Sequence, residues 1–308
     1  MSDKQQPAVV PGLVSVVTAT YNMGRYIAET IDAVLGQDYP HVESIIVDDG
    51  STDDTPTVLA RYAGDPRVRV VRQQNAGQTV AKNHGIREAR GEFIAFCDAD
   101  DTWRRDKLSL QLPRFANPRV AVVYADIECV DGEGKVLPYY DIPHYEGRVT
   151  APLLIDNFVP FPTAVARAEV LRAMGGFDES LTMSIDYDLW LRISVDHEFA
   201  FVPQRLANYR VWEGQMSKKT GERLDNFMRL LDRFVHAHPG AASRIEVDRA
   251  YAHVYVTRGY WHAREGRRGD AWRDYQAALR LNPLALRMWK RIVSLGLGRD
   301  RERAGKTS

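Results

Sequence analysis

From Leu13 to Cys97 the chain alternates short apolar runs with stretches whose apolar residues recur at helical spacing. Leu13–Thr18 is a β-branched run that ends at Ala19-Thr20-Tyr21-Asn22, a strand running into a loop. Ile27, Ile31, Val34 and Leu35 lie one helical turn or so apart, which predicts an amphipathic helix over Gly24–Gly36. Val42–Val47 reads as a second strand. The polar cluster Ser51–Thr55 starts a helix through about Tyr62. Val68–Arg72 is a third strand, Ala76–Arg90 a helix, and Phe93–Cys97 a fourth strand buried on both faces. Strand–helix–strand alternation at this spacing predicts an α/β fold with a parallel sheet and right-handed crossovers.

Beyond that, Asp106–Phe115 is helical, shortened at Pro113, and Val120–Val130 is a strand followed by a hairpin-type turn at Asp131-Gly-Glu-Gly-Lys. Tyr139–Thr150 is aromatic and irregular. Ala164–Ala173 reads as a strand then a short helix stopped by Gly175-Gly176, Phe177–Leu181 as a loop, and Ile185–Val195 as an apolar-periodic helix. After about Thr220 the pattern is wholly helical. Leu224–His238 is broken by Pro239-Gly240. Residues 250–281 resemble one tetratricopeptide-type hairpin, with Gly269-Asp270 at the turn, Ala271 and Tyr275 on the second helix, and Leu281-Asn282-Pro283 as the stop. One such unit cannot bury its own face, so it is expected to pack on the rest of the chain or on a partner. Leu284–Leu297 mixes Arg287, Lys290 and Arg291 with Leu286, Met288, Trp289, Ile292 and Val293. Such a basic amphipathic helix suits peripheral contact with an anionic membrane, or docking on the helical pair.

The expected domains are a tail at 1–12 and an α/β domain at 13–220, divided into 13–118 and 119–220. A helical appendage at 221–298 and a disordered tail at 299–308 follow. At 308 residues the chain is long enough for this division. The 41 basic residues balance 41 acidic ones, so no global field argues for nucleic acid. No signal-peptide core or bilayer-length apolar run occurs. Cys97 and Cys129 sit in apolar runs, as small buried thiols of a reducing compartment do. The expected location is cytoplasmic, at most peripheral at the inner face of the membrane.

Chemistry gathers at three strand ends: Thr20-Tyr21, Asp48-Asp49, and Asp98 with Asp100. Ligands of open parallel sheets bind at the carboxyl ends of strands. A solvated acidic turn explains one such end but not three. Asp98 and Asp100, on alternate positions, can face one cavity. There they would repel unless a cation sat between them, and hard divalent cations such as Mg²⁺ and Mn²⁺ take carboxylate and phosphate oxygens. Neither G-x-G-x-x-G nor G-x-x-x-x-G-K-[ST] occurs, so a diphosphate here would be neutralised by metal. Tyr21 could lie against a base or ribose, or simply pack.

Five segments in order, VSVVTATYN, IIVDDGSTDDT, NAGQTVAKNHGIREARGEFIAFCDADD, GGFDESLTMSIDYDLWLR and YRVWEGQMS, resemble the inverting glycosyltransferases of family 2, over roughly Leu13 to Ser217. The resemblance implies a GT-A fold, a Rossmann-like, mostly parallel central sheet flanked by helices with a C-terminal helical extension. It also implies transfer of a sugar from a nucleotide-diphosphate sugar, UDP-linked by family expectation. The acceptor would be a hydroxyl of a saccharide or lipid-linked saccharide, in surface polysaccharide or glycolipid synthesis. Carried over position by position, Thr20 and Tyr21 would meet the base and Asp49 the uracil or ribose. Asp100 would hold a Mn²⁺ or Mg²⁺ ion, and Asp98 the ribose or the metal. Lys82 and Arg210 would serve the donor, and Asp186 would be the base. An inverting transfer needs one such base and a Lewis acid for the leaving diphosphate.

The sequence departs from the family at three places. Lys82 stands where an arginine is common, Ile185 where a glutamate often precedes the base, and Trp212 where a histidine is usual. Arg210, Gln215 and Ser217 could supply donors instead. Trp190 and Trp212 suit packing as well as stacking on a sugar. Asp186, at a helix start, also suits the helix dipole. Two alternatives stand beside the transferase. One is a catalytically silent scaffold acting through its helical end. The other is a sugar-nucleotide pyrophosphorylase, disfavoured because no glycine-rich basic loop follows the first strand.

Overall fold

The computed structural model describes residues 7–138, 142–212 and 220–282. They form two compact units, residues 7–149 with 157–212, and residues 150–156 with 220–282. The segments around Gln215 and Ser217, the basic stretch Leu284–Leu297 and both chain ends lie outside the described residues.

In the first unit, strands β1 (Val10–Thr20), β2 (Val42–Asp48), β3 (Val68–Arg72) and β4 (Gly91–Phe96) pair in parallel in the order β3-β2-β1-β4. Helices α1 (Ile27–Leu35), α2 (Thr55–Leu59) and α3 (Gln78–Glu88) connect them. Every residue of β2 is buried, as a central strand covered on both faces requires. Gly85 lets α3 lie close on β1, since a Cβ there would come within 2.4 Å of Val17 Cγ1.

The sheet continues as β7 (Val165–Arg167), β6 (Val120–Val130), β8 (Glu198–Arg210) and β5 (Thr102–Trp103). β7 is antiparallel to both β4 and β6, and β5 is antiparallel to β8. The eight-stranded sheet is therefore mixed but mostly parallel, as expected of this α/β fold. β8 escapes an alternation reading because its register against β6 slips between Val202 and Arg205, where Pro203 has no N–H to donate. Helices α4 (Lys107–Gln111), α6 (Ala168–Ala173) and α7 (Ile185–Ser194) complete this unit.

In the second unit, α5 (Thr150–Ile155) and α8 (Thr220–Ala237) pack on α9 (Arg244–Arg264), which pairs with α10 (Arg268–Leu281). The α9–α10 turn falls at Glu265-Gly266-Arg267, with Gly266 at φ 76°. Gly269 and Asp270, read as the turn, lie in the first turn of α10. Arg258 ties the helices by donating twice to Asp274 of α10, at 2.9 and 2.7 Å, and to Asp225 of α8 at 3.4 Å. Among the described residues, no helix is long and apolar enough to cross a membrane.

Candidate active site

The parallel register sets Thr20 beside Asp48 and Val17 beside Phe96, so β1, β2 and β4 end along one edge. The loop after β1 is stitched to the loop after β2. The Asn22 N–H donates to Ser51 Oγ at 2.9 Å, and the Thr52 N–H donates back to Asn22 Oδ1 at 2.8 Å. Met23 and Gly24 donate to Thr55 Oγ1 and Asp53 Oδ2. Thr20 is buried, and its hydroxyl has no hydrogen-bond partner among the described residues. Tyr21 is 45% exposed, a ring held in solvent and not packed in the core.

Asp49 is buried, and its carboxylate takes three donors from the β3–α3 loop. They are Gln73 Nε2 at 2.8 Å, the Ala76 N–H at 2.9 Å and the Gly77 N–H at 2.8 Å. Gly77, at φ 91°, turns the chain into α3 in a conformation that a residue with a Cβ rarely adopts. Asp49 therefore shapes that loop, whatever else it meets.

The acidic segment is a turn, not a continuation of the strand. β4 stops at Phe96, and the Asp101 N–H donates to the Asp98 carbonyl at 3.0 Å. The turn, and not strand alternation, brings Asp98 and Asp100 to one place. Asp101 is buried beneath them, with Oδ1 accepting the Arg210 N–H at 2.9 Å and Oδ2 without a partner among the described residues. Burial, then the charges of Asp100 and Asp98, push the Asp101 carboxyl well above the usual range. Such crowding of negative charge is what a hard cation relieves, so the residues present fit a divalent ion.

Lys82, on α3, is almost fully buried. Its ammonium lies 2.9 Å from Asp98 Oδ1, 3.3 Å from Gln78 Oε1 and 4.3 Å from the centre of the Phe161 ring. Asp186 occupies the first turn of α7. Burial pushes its carboxyl up, against the pull of Asn157, of its own and the Tyr187 backbone N–H, and of the Lys82 charge. Asn157 Nδ2 donates to Asp186 Oδ2 at 2.8 Å. Ile185, in place of the acid, is buried core.

Arg210 closes β8 as a buried clamp. Nε donates to the Asp100 carbonyl at 2.9 Å, Nη1 to the Gly132 carbonyl at 3.0 Å and Nη2 to Glu29 Oε2 at 2.7 Å. The guanidinium also stacks over Tyr26 at 4.6 Å. It holds the acidic turn against the hairpin after β6. Two residues on, Trp212 Nε1 donates to Asp100 Oδ2 at 2.8 Å. Trp190 is wholly buried, edge-on to Phe199, and is core packing.

One residue and one contact of this arrangement were not singled out from sequence. Asn157 lies in a loop with no pattern to mark it. The Trp212–Asp100 hydrogen bond has only one signal, a donor-bearing ring two positions after a strand-end arginine.

The glycosyl transferase family 2 pattern matches residues 15–174, more than half of the chain. The chain belongs to that family, and its fold is the GT-A fold. It is 34% identical over 207 residues to a chondroitin synthase of Escherichia coli, covering 66% of this chain but 29% of that protein. The chain thus spans under a third of that relative's length. Among solved structures, it resembles S. aureus TarS 1-349 in complex with UDP-GlcNAc (TM-score 0.66, 20% identity, 88% of this chain and 83% of that one). It also resembles the mannosyltransferase PcManGT from Pyrobaculum calidifontis in complex with GDP-Man and Mn²⁺ (TM-score 0.64, 20% identity, 95% and 81%).

Proposed function

We propose that this glycosyltransferase moves a sugar, with inversion, from a UDP-linked donor to a hydroxyl of a saccharide or lipid-linked saccharide, in building a surface polysaccharide or glycolipid. The observation that carries this reading is the placing of Lys82. One buried ammonium pairs with Asp98 and also acts on the Asp186 carboxyl. This supports reading the acidic turn and the candidate base as parts of one site. The relatives bound to UDP-GlcNAc and GDP-Man support a nucleotide-sugar donor, and the chondroitin synthase supports a polysaccharide product.

Thr20, Tyr21 and Asp49 would receive the nucleoside. Asp100 and Asp98 would hold a Mn²⁺ or Mg²⁺ ion. Among the described residues, no three acidic, histidine or cysteine side chains form a complete cage, so the donor diphosphate would complete the shell. When bound, that ion supplies Lewis-acid relief of the charge on the leaving diphosphate. Asp186 would take the proton from the acceptor hydroxyl as it attacks.

Calorimetric titration of UDP, GDP and dTDP, with and without Mn²⁺, tests the donor site. One nucleotide should bind tightly in a metal-dependent way, and binding should vanish in Asp100→Ala. Asp186→Asn should keep nucleotide binding and lose transfer. Metal-independent or absent binding for all three nucleotides would sink the reading and leave a scaffold acting through its helices.

A further inference from the structure

Helix α5 lies between β6 and β7 in the chain, yet it packs on α9 and belongs to the helical unit. The chain re-enters the sheet unit at Asn157. Phe158 and Val159 follow, each 2% exposed, with Phe158 against Tyr124 and Tyr145 at ring separations of 5.6 and 4.9 Å. The Asn157 amide is therefore anchored on both sides. It faces a carboxylate, so its NH₂ group must be the end presented to Asp186. Its Oδ1 is buried without a partner among the described residues, an arrangement that costs stability. Ser184, the N-cap of α7, makes no side-chain capping bond and sits at φ 55°. At the start of α7 the Asp186 carboxylate is held by the backbone N–H groups of Tyr187 and of Asp186 itself, and Asn157 adds the side-chain donor. Lys82 on α3 is the charged group that acts on Asp186.

We infer that Asn157 is a positioning residue for Asp186. Its amide N–H fixes the rotamer and ionised form of the carboxylate. The inference rests on Asp186 being the base.

The test is a pH titration of the Asp186 carboxyl by ¹³C NMR on the full chain, with Asp186→Asn assigning the signal, beside kcat and donor KM. In Asn157→Ala the titration midpoint should rise. Removal of one hydrogen bond to a charged group should lower kcat about tenfold or more, with donor KM unchanged. Asn157→Asp should raise the midpoint further, because two adjacent carboxyls resist joint ionisation; it also replaces the alanine variant if that fails to fold. An unmoved midpoint in Asn157→Ala, or a loss confined to donor KM, overturns the positioning role. If the wild type transfers no sugar while the midpoint still shifts, positioning stands and only the transferase reading fails.

Discussion

Trp212 donates its indole N–H to Asp100 Oδ2 at 2.8 Å, tying the second residue after β8 to the acidic turn after β4. The same turn is held from below by Arg210, through the Asp100 carbonyl and the Asp101 carboxylate. Arg210 at the end of β8 and Trp212 two residues on thus orient the proposed metal ligand. Trp212→Phe keeps the ring and removes the donor. A hydrogen bond to a charged group contributes about 1.5–3 kcal/mol, so Mn²⁺-supported UDP affinity should fall about tenfold or more, read by calorimetry. Equal affinity in the variant would show that Asp100 needs no such tether.

Lys82→Met strips Asp98 of its cation and removes a charge that holds the Asp186 carboxyl down. Breaking a fully buried pair costs about 3–5 kcal/mol. The Asp98 side chain is 33% exposed, so about 2 kcal/mol is the better expectation. Folding stability should fall by about that amount, read in denaturant melts. The acid limb of the kcat/KM profile should move to higher pH, because Asp186 would then hold its proton longer.

Asp49 should prove structural as well as ligand-facing. Asp49→Ala leaves the Gln73 amide and the Ala76 and Gly77 N–H groups without their acceptor. Water reaches this loop, so the cost should be about 2 kcal/mol, a fall of roughly 5 °C in Tm for a unit of this size. Asp100→Ala should lose nucleotide binding with a much smaller change in Tm. Calorimetric melts of both variants separate the two roles.

Lys107 on α4 is wholly buried, its Nζ over the Trp103 ring at 3.9 Å and without a hydrogen-bond partner among the described residues. Burial pulls its pKa down to about 7, against the charge of Cys97. The unfolded chain keeps that proton up to about pH 10.4. Between the two values the unfolded state binds more protons, so this group makes stability rise with pH. Below about pH 7 both states are protonated and its contribution is flat. Denaturant melts at about pH 7 and pH 9.5 should show wild type gaining about 2–3 kcal/mol relative to Lys107→Met over that interval. A parallel response in the two proteins would refute a depressed Lys107.

Local pattern determined much of this protein. Buried apolar runs separated by helical periodicity marked β1 to β4 and α1 to α3, because a strand covered on both faces and an amphipathic helix each impose their own period on the chain. The ordered motifs pointed to glycosyltransferase family 2, and the polar ends of three strands pointed to one sheet edge. Tertiary structure decided the rest. The antiparallel pairing of β7 with β4 and of β5 with β8, across long stretches of chain, made the sheet mixed. Partners such as Lys82 with Asp98, Trp212 with Asp100 and Asn157 with Asp186 are 16, 112 and 29 positions apart. The assignment of α5 to the helical unit is of the same kind. No periodicity encodes which distant side chain will complete a hydrogen bond. Only packing brings the two groups within the roughly 3 Å where that bond forms.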